Sequence, residues 1–75
     1  MMTYQLVYDN EKERQYKVEG DCNALAYVTI DKVAGTVSSV GTYNIMFGKD
    51  FTEKLALGTL KFKNNPPKEF TYGVG

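Results

Sequence analysis

The sequence predicts a two-layer α+β domain in which a mainly antiparallel sheet packs against one helix on one face, in the order ββαβββ. Three observations support this prediction. Apolar and polar residues alternate in short segments towards both ends of the chain, as in half-buried strands. One central stretch has apolar residues at helical spacing. Short charged, glycine-rich or proline-rich stretches separate the segments, as in chain reversals.

The first two strands are predicted on either side of a charged turn. Residues 3–8 and residues 14–19 both alternate between apolar and polar side chains. The stretch between them, DNEKE at 9–13, has the length and polarity of a hairpin connection. The side chains predicted to face inward are Tyr4, Leu6, Tyr8, Tyr16 and Val18.

The predicted helix occupies residues 22–34. Asp21 could cap its first turn by accepting a backbone N–H bond, and Gly35 suits the left-handed residue that closes many helices. Residues 24–31 also fit a strand, because they alternate and because three consecutive β-branched residues disfavour a helix. The cap, the closing glycine and the length favour the helix. Its inner face would carry Cys22, Leu25, Ala26, Thr29, Ile30 and Val33.

Three further strands are predicted after the helix, at residues 40–47, 55–63 and 69–74. Residues 36–39 are interpreted as a connection, and residues 51–54 fit a loop, a bulge or a single helical turn. Two consecutive prolines after residue 65 end the second of these strands, because proline has no N–H to donate. The inward-facing residues would include Tyr43, Ile45, Phe47, Leu60, Phe62, Phe70, Tyr72 and Val74.

Size and composition limit the classes of protein that this chain could represent. Its 75 residues allow one domain, residues 1–75, and a domain of this size buries only about 60% of its unfolded surface. A single cysteine cannot form an internal disulfide, and no histidine is present to help bind zinc. The net charge is zero, which differs from the basic excess of a typical nucleic-acid-binding domain.

The sequence predicts a cytoplasmic protein. No basic start leads into an apolar run, as it would in a secretory signal, and no apolar stretch approaches the ~20 residues that cross a bilayer. A lone free cysteine fits a reducing compartment. We therefore expect no membrane association.

No combination of residues predicts catalysis, a metal site or a cofactor. The lone cysteine has no histidine to activate it. Asp9, Glu11 and Glu13 have the spacing that begins a calcium loop, but Arg14 and Gly20 occupy the positions where that loop needs glycine and glutamate. We therefore expect a protein that is not an enzyme.

By exclusion, the sequence predicts a small protein-binding module, an adaptor or an inhibitor that occupies the surface of a larger protein or complex. Phage-encoded inhibitors of host machines are one analogy of size and composition. The candidate contact residues lie on the outer side of the predicted helix and include a tyrosine, a residue type that is enriched at protein interfaces. They are Tyr27, Val28, Asp31 and Lys32.

Two alternative functions are also compatible with the sequence. The first is a self-associating structural protein, such as a homodimer formed through an open sheet edge. The second is a weak nucleic-acid-binding domain that uses Lys61 and Lys63. Alternation along residues 55–63 would place Phe62 on the opposite, inner face from these lysines, which argues against base stacking.

Overall fold

The computed structural model describes residues 1–73. Four strands come first, followed by the α-helix, a short 3-10 helix and a last strand, so the order is ββββαβ. Their bounds are β1 Met2–Asp9, β2 Glu13–Glu19, β3 Leu25–Asp31, β4 Thr36–Gly41, α1 Gly48–Leu57, the 3-10 helix Gly58–Phe62 and β5 Glu69–Tyr72.

The five strands form one antiparallel sheet with the spatial order β4-β3-β2-β1-β5. Consecutive hairpins join β1 to β4. The chain then crosses one face of the sheet through α1 and the 3-10 helix and pairs β5 with β1 at the far edge. The predicted class, α+β with an antiparallel sheet and one helix on one face, is confirmed.

The helix predicted at residues 22–34 is wrong, and this is why the element order differs from ββαβββ. The strand alternative is the one observed, as β3. Its alternate residues Ala26, Val28 and Ile30 are buried, and they pair with residues of β2. The two supposed helix ends belong to tight turns instead. Asp21 begins the β2–β3 turn, and Gly35, with a φ of 72°, completes the β3–β4 turn.

The predictions for residues 36–63 also need correction. Residues 36–39 belong to β4, and the chain leaves the sheet at Gly41, where a strand was expected to continue to residue 47. Gly41 has a φ of 131°, and a Cβ there would collide with the backbone of β3. The expected strand at 55–63 is helical because Thr52, Ala56 and Thr59 recur at helical spacing and all three are buried.

The last predicted strand, residues 69–74, corresponds to β5, and Val74 lies outside the described residues. Phe70 of β5 stacks on the ring of Tyr4, with 4.5 Å between centroids and 9° between planes. The hydroxyl of Tyr4 donates to the carbonyl of Thr52 at 2.9 Å, which ties α1 to the sheet. Burial raises the pKa of the Tyr4 phenol. The fully buried core also contains Met2, Tyr16, Val18, Val28, Ile30 and Ala56.

A buried cation joins the sheet to the 3-10 helix. Arg14 is fully buried; its Nε donates to Asp9 at 2.9 Å and its Nη1 to the carbonyl of Thr59 at 2.7 Å. Its Nη2 donates to the carbonyl of Lys63, and Lys32 donates to the same Asp9 oxygen at 3.1 Å. Burial would raise the pKa of the Asp9 carboxyl, but the hydrogen bonds and charges of Arg14 and Lys32 outweigh burial and hold it below its usual value. We call this set the Arg14 network.

Polar groups in the interior are satisfied throughout the part of the chain that the structure describes, where no buried side-chain nitrogen or oxygen lacks a hydrogen-bond partner. No helix between residues 1 and 73 is both long enough and apolar enough to cross a membrane.

Candidate interaction surfaces

The four residues predicted to bind a partner do not form one surface, because they lie on a strand and the turn that follows it. Tyr27 is 39% exposed on the face of the sheet opposite α1, whereas Val28 is fully buried in the core. Asp31 accepts the backbone N–H groups of the next turn. Lys32 contributes its ammonium to the Arg14 network. Tyr27 and Asp31 are therefore exposed, as the prediction required, whereas Val28 is not.

Tyr27 contributes to a small apolar patch on the open face of the sheet. It lies directly opposite Val40 of β4, and Leu25 is two residues away on the same side of β3. All three are exposed, and Val40 is the most exposed of them. On the next strand, Lys17 and Glu19 form an ion pair at 3.4 Å. We call Leu25, Tyr27 and Val40 the open-face patch.

Two highly exposed apolar residues lie next to each other in the loop between β4 and α1. Ile45 is 100% exposed and Met46 is 78% exposed. The preceding residue, Asn44, is buried, and its Oδ1 accepts the N–H groups of Met46 at 2.8 Å and Phe47 at 3.4 Å. Its carbonyl accepts the N–H of Gly48 at 2.8 Å. Asn44 thus fixes the loop in a turn that presents Ile45 and Met46, which we call the apolar tip.

The sequence predicts an inward-facing Ile45, because the alternation of a strand continues as far as residue 47. An asparagine whose side chain accepts the N–H two residues later is a turn former. The signal that could have identified the tip was therefore Asn44 following closely on Gly41.

A cleft of about 460 Å³ separates the apolar tip from the β2–β3 turn. Cys22 lines it and is exposed, so the prediction of a buried side chain on the inner face of a helix is wrong. Cys22 and Asn23 have φ values of 60° and 63°, as the two central residues of a type I′ turn require. No histidine exists to activate the thiol, so this cleft has no assembled nucleophile.

A second concave region lies between α1, the 3-10 helix and β5. It has a volume of about 430 Å³. Lys61 and Phe62 both border it, so the expectation that Phe62 lies in the core is wrong. Phe62 is 45% exposed, and the ammonium of Lys61 lies 5.2 Å from its ring centroid. Lys63 is exposed at the end of the same 3-10 helix. We call this region the lysine-flanked groove.

Among residues 1–73, no three cysteine, aspartate or glutamate side chains are grouped as a metal site would require. Comparison of the chain with known families, with curated proteins and with solved structures found no match. The function is therefore inferred from the geometry of these surfaces.

Proposed function

We propose that this protein is a non-catalytic protein-binding module, an adaptor or an inhibitor, which contacts a larger partner through its apolar tip. The observation that supports this proposal is the full exposure of Ile45 on a loop held by the buried Asn44. An apolar side chain on a pre-ordered loop loses little conformational entropy when it enters a partner's pocket. Met46 beside it is unbranched and adapts to irregular surfaces.

The open-face patch has one member, Leu25, at the same end of the sheet as the apolar tip. Leu25 begins β3, and its N–H donates to the Oγ1 of Thr42, the first residue of the loop that carries the tip. Leu25 therefore adjoins the loop that carries the tip, and we propose that the partner contacts Leu25 and Tyr27 as well. Tyrosine is suited to such a position because it combines a large apolar body with a polar end.

The proposal is tested by affinity capture of the tagged protein from a lysate of its source organism, with and without nuclease. We compare the wild type with an Ile45→Asp/Met46→Asp double variant. Val33→Asp is the matched control, because Val33 is also an exposed apolar residue, at 81%, but lies in the β3–β4 turn. We expect a stoichiometric, nuclease-resistant protein partner with the wild type and the control, and none with the double variant.

Equal capture by all three proteins would contradict the role of the tip. Loss of every captured protein on nuclease treatment would instead support nucleic-acid binding.

Self-association is a second candidate function, favoured by the position of β4. This strand forms one edge of the sheet, and within residues 1–73 no strand pairs with its outer side. Val40 on this strand is 70% exposed. Pairing of two β4 edges would produce a homodimer. Sedimentation across a wide concentration range would then show a dimer that Val40→Lys weakens, whereas a monomer at all concentrations would exclude this candidate.

We further propose a cytoplasmic location, on the basis of the exposed Cys22 thiol. Exposed free thiols persist where cellular reductants keep them reduced. Rapid alkylation of intact cells should label Cys22 almost completely. Recovery of the protein as a mixed disulfide would contradict this location.

A further inference from the structure

We propose that the lysine-flanked groove is a separate binding site for a short acidic segment of a partner protein, one that carries a single bulky apolar side chain. This site lies on the helix-covered face of the sheet, away from the open-face patch, and does not depend on the apolar tip.

The groove exists because one helix is too narrow to cover the sheet. A helix is about 10 Å across and strands lie about 4.8 Å apart, so one helix covers about two strands. Here α1 packs mainly against β3 and β4. The opposite edge, where β5 pairs with β1, is less completely covered, and a groove remains between this edge and α1. Its apolar lining is only partly buried and consists of Leu55 of α1, Pro67 and Phe70, with the exposed Phe62 at the margin.

The charge around the groove specifies the chemistry of its occupant. Lys54 and Lys61 line it, and no carboxylate does. Lys63 and Lys68 are exposed on the segment that joins the 3-10 helix to β5. Within residues 1–73 none of these four lysines forms an ion pair, whereas Lys17 and Lys32 each do. An apolar cavity edged by unpaired cations is complementary to an apolar side chain flanked by aspartate or glutamate.

A peptide fits this site better than a single-stranded nucleic acid does. Base stacking uses several aromatic faces in a row. The groove offers one, Phe62, and the ammonium of Lys61 already lies over that ring. Phe70 also lines the groove, but one face of its ring is already stacked on Tyr4. Leu55 and Pro67 supply the other apolar lining, and such aliphatic groups suit a side chain of a protein partner.

The test measures binding of unlabelled peptides to the intact protein by amide chemical shifts, at low ionic strength. The probe is Glu-Asp-Phe-Asp-Glu. Two control peptides remove one property each: Gln-Asn-Phe-Asn-Gln has no charge, and Glu-Asp-Ala-Asp-Glu has no bulky side chain. We expect the probe to shift the amides of Lys54, Gly58, Lys61 and Phe62, and each control peptide to bind about tenfold or more weakly.

Two double variants of equal net charge separate the groove from general electrostatic attraction. Lys54→Glu/Lys61→Glu reverses the two cations that line the groove. Lys12→Glu/Lys49→Glu reverses two exposed lysines outside it. The first pair should weaken probe binding by about tenfold, and the second should leave it nearly unchanged.

Gly58 provides a variant that blocks the groove without straining the backbone. It borders the groove with φ −58° and ψ −19°, and a Cβ added there meets no atom within 4 Å. Gly58→Leu should therefore occupy the open space and abolish probe binding. Gly58→Ala is the matched control and should still bind the probe.

The proposal is overturned if no peptide binds, if the uncharged peptide binds as well as the probe, or if the two charge-reversal pairs weaken binding equally. It is also overturned if a thymidine oligomer binds the groove more tightly than the probe, a result that would favour nucleic acid. None of these outcomes bears on partner capture through Ile45 and Met46, so the two proposals fail separately.

Discussion

The two ends of the sheet use polar and apolar residues in opposite ways. At the end where β2 begins, Arg14 is fully buried and its charge is matched by Asp9 and by carbonyl groups of the 3-10 helix segment. At the end where β2 finishes, next to Gly20, the loop held by Asn44 leaves Ile45 fully exposed.

This contrast separates the sources of stability and binding. A buried charge is strongly destabilising when one partner is removed, so residues of the Arg14 network have little freedom to change. An exposed apolar side chain contributes little to the folded state and can be selected for contact with another molecule. Four predictions test this separation, from the largest expected effect to the smallest.

The largest effect is expected from Arg14→Leu, which removes the cation and leaves the polar groups around it buried. We expect the free energy of unfolding to fall by about 3–5 kcal/mol, a large share of the total for a domain of this size. Arg14→Lys should recover only part of the loss, because one ammonium cannot replace the guanidinium fork. Urea denaturation measures both. A loss below about 1 kcal/mol in Arg14→Leu would show that the network is not a main source of stability.

Substitutions of two neighbouring residues of β3 should change stability by different amounts, because the two side chains lie on opposite faces of the sheet. Val28→Ala removes buried methyl groups and should cost about 2 kcal/mol. Tyr27→Ala on the open face should change stability by less than about 0.5 kcal/mol and weaken partner capture. Equal destabilisation in thermal unfolding would contradict the observed orientation of β3.

Asn44 affects both stability and partner binding, because it is buried and also orders the apolar tip. Asn44→Ala should reduce the free energy of unfolding by about 1–2 kcal/mol and weaken capture, since the loop loses the acceptor for two N–H groups. Asn44→Asp keeps the acceptor oxygen and should therefore retain more of the stability and more of the partner capture than Asn44→Ala does. The measurements are urea denaturation and affinity capture. Unchanged capture by Asn44→Ala would show that order in the loop is not needed for binding.

The smallest effect concerns pH. The pKa of the Asp9 carboxyl is lower in the folded protein than in the unfolded chain, where it is about 3.9. Its contribution to stability is therefore complete above the unfolded pKa and is lost as pH falls through the folded pKa. Unfolding curves between neutral pH and about pH 2 should show a steeper acid loss for the wild type than for Asp9→Asn. Parallel curves for the two proteins would contradict this contribution.

The sequence was sufficient to predict the fold class because alternation records which face of a strand is buried. It located β1, β2 and β5 for this reason. The same rule was ambiguous in residues 24–31, whose apolar positions fit both a helix and a strand. Pairing with β2 favours the strand over the helix. This contact joins residues that are distant in sequence, so the local pattern of residues 24–31 does not predict it.

The Arg14 network and the apolar tip could not be predicted from spacing. Arg14 meets Thr59 and Lys63 across separations of 45 and 49 residues, so its burial depends on how the chain returns over the sheet. Ile45 is exposed because β4 ends at Gly41. Apolar and polar residues still alternate after Gly41, but the chain there is no longer part of the sheet. Tyr27 was identified as a contact residue on the mistaken assumption of a helix, and its role remains a prediction.

The most direct test of the proposed separation is photo-crosslinking in the source organism. A benzoylphenylalanine is placed at position 45 in one version of the protein and at position 33 in another, since both side chains are exposed but lie at opposite ends. We predict a crosslinked protein partner from position 45 and only the free chain from position 33. Crosslinking to the same partner from position 33, with none from position 45, would contradict the assignment of binding to the apolar tip.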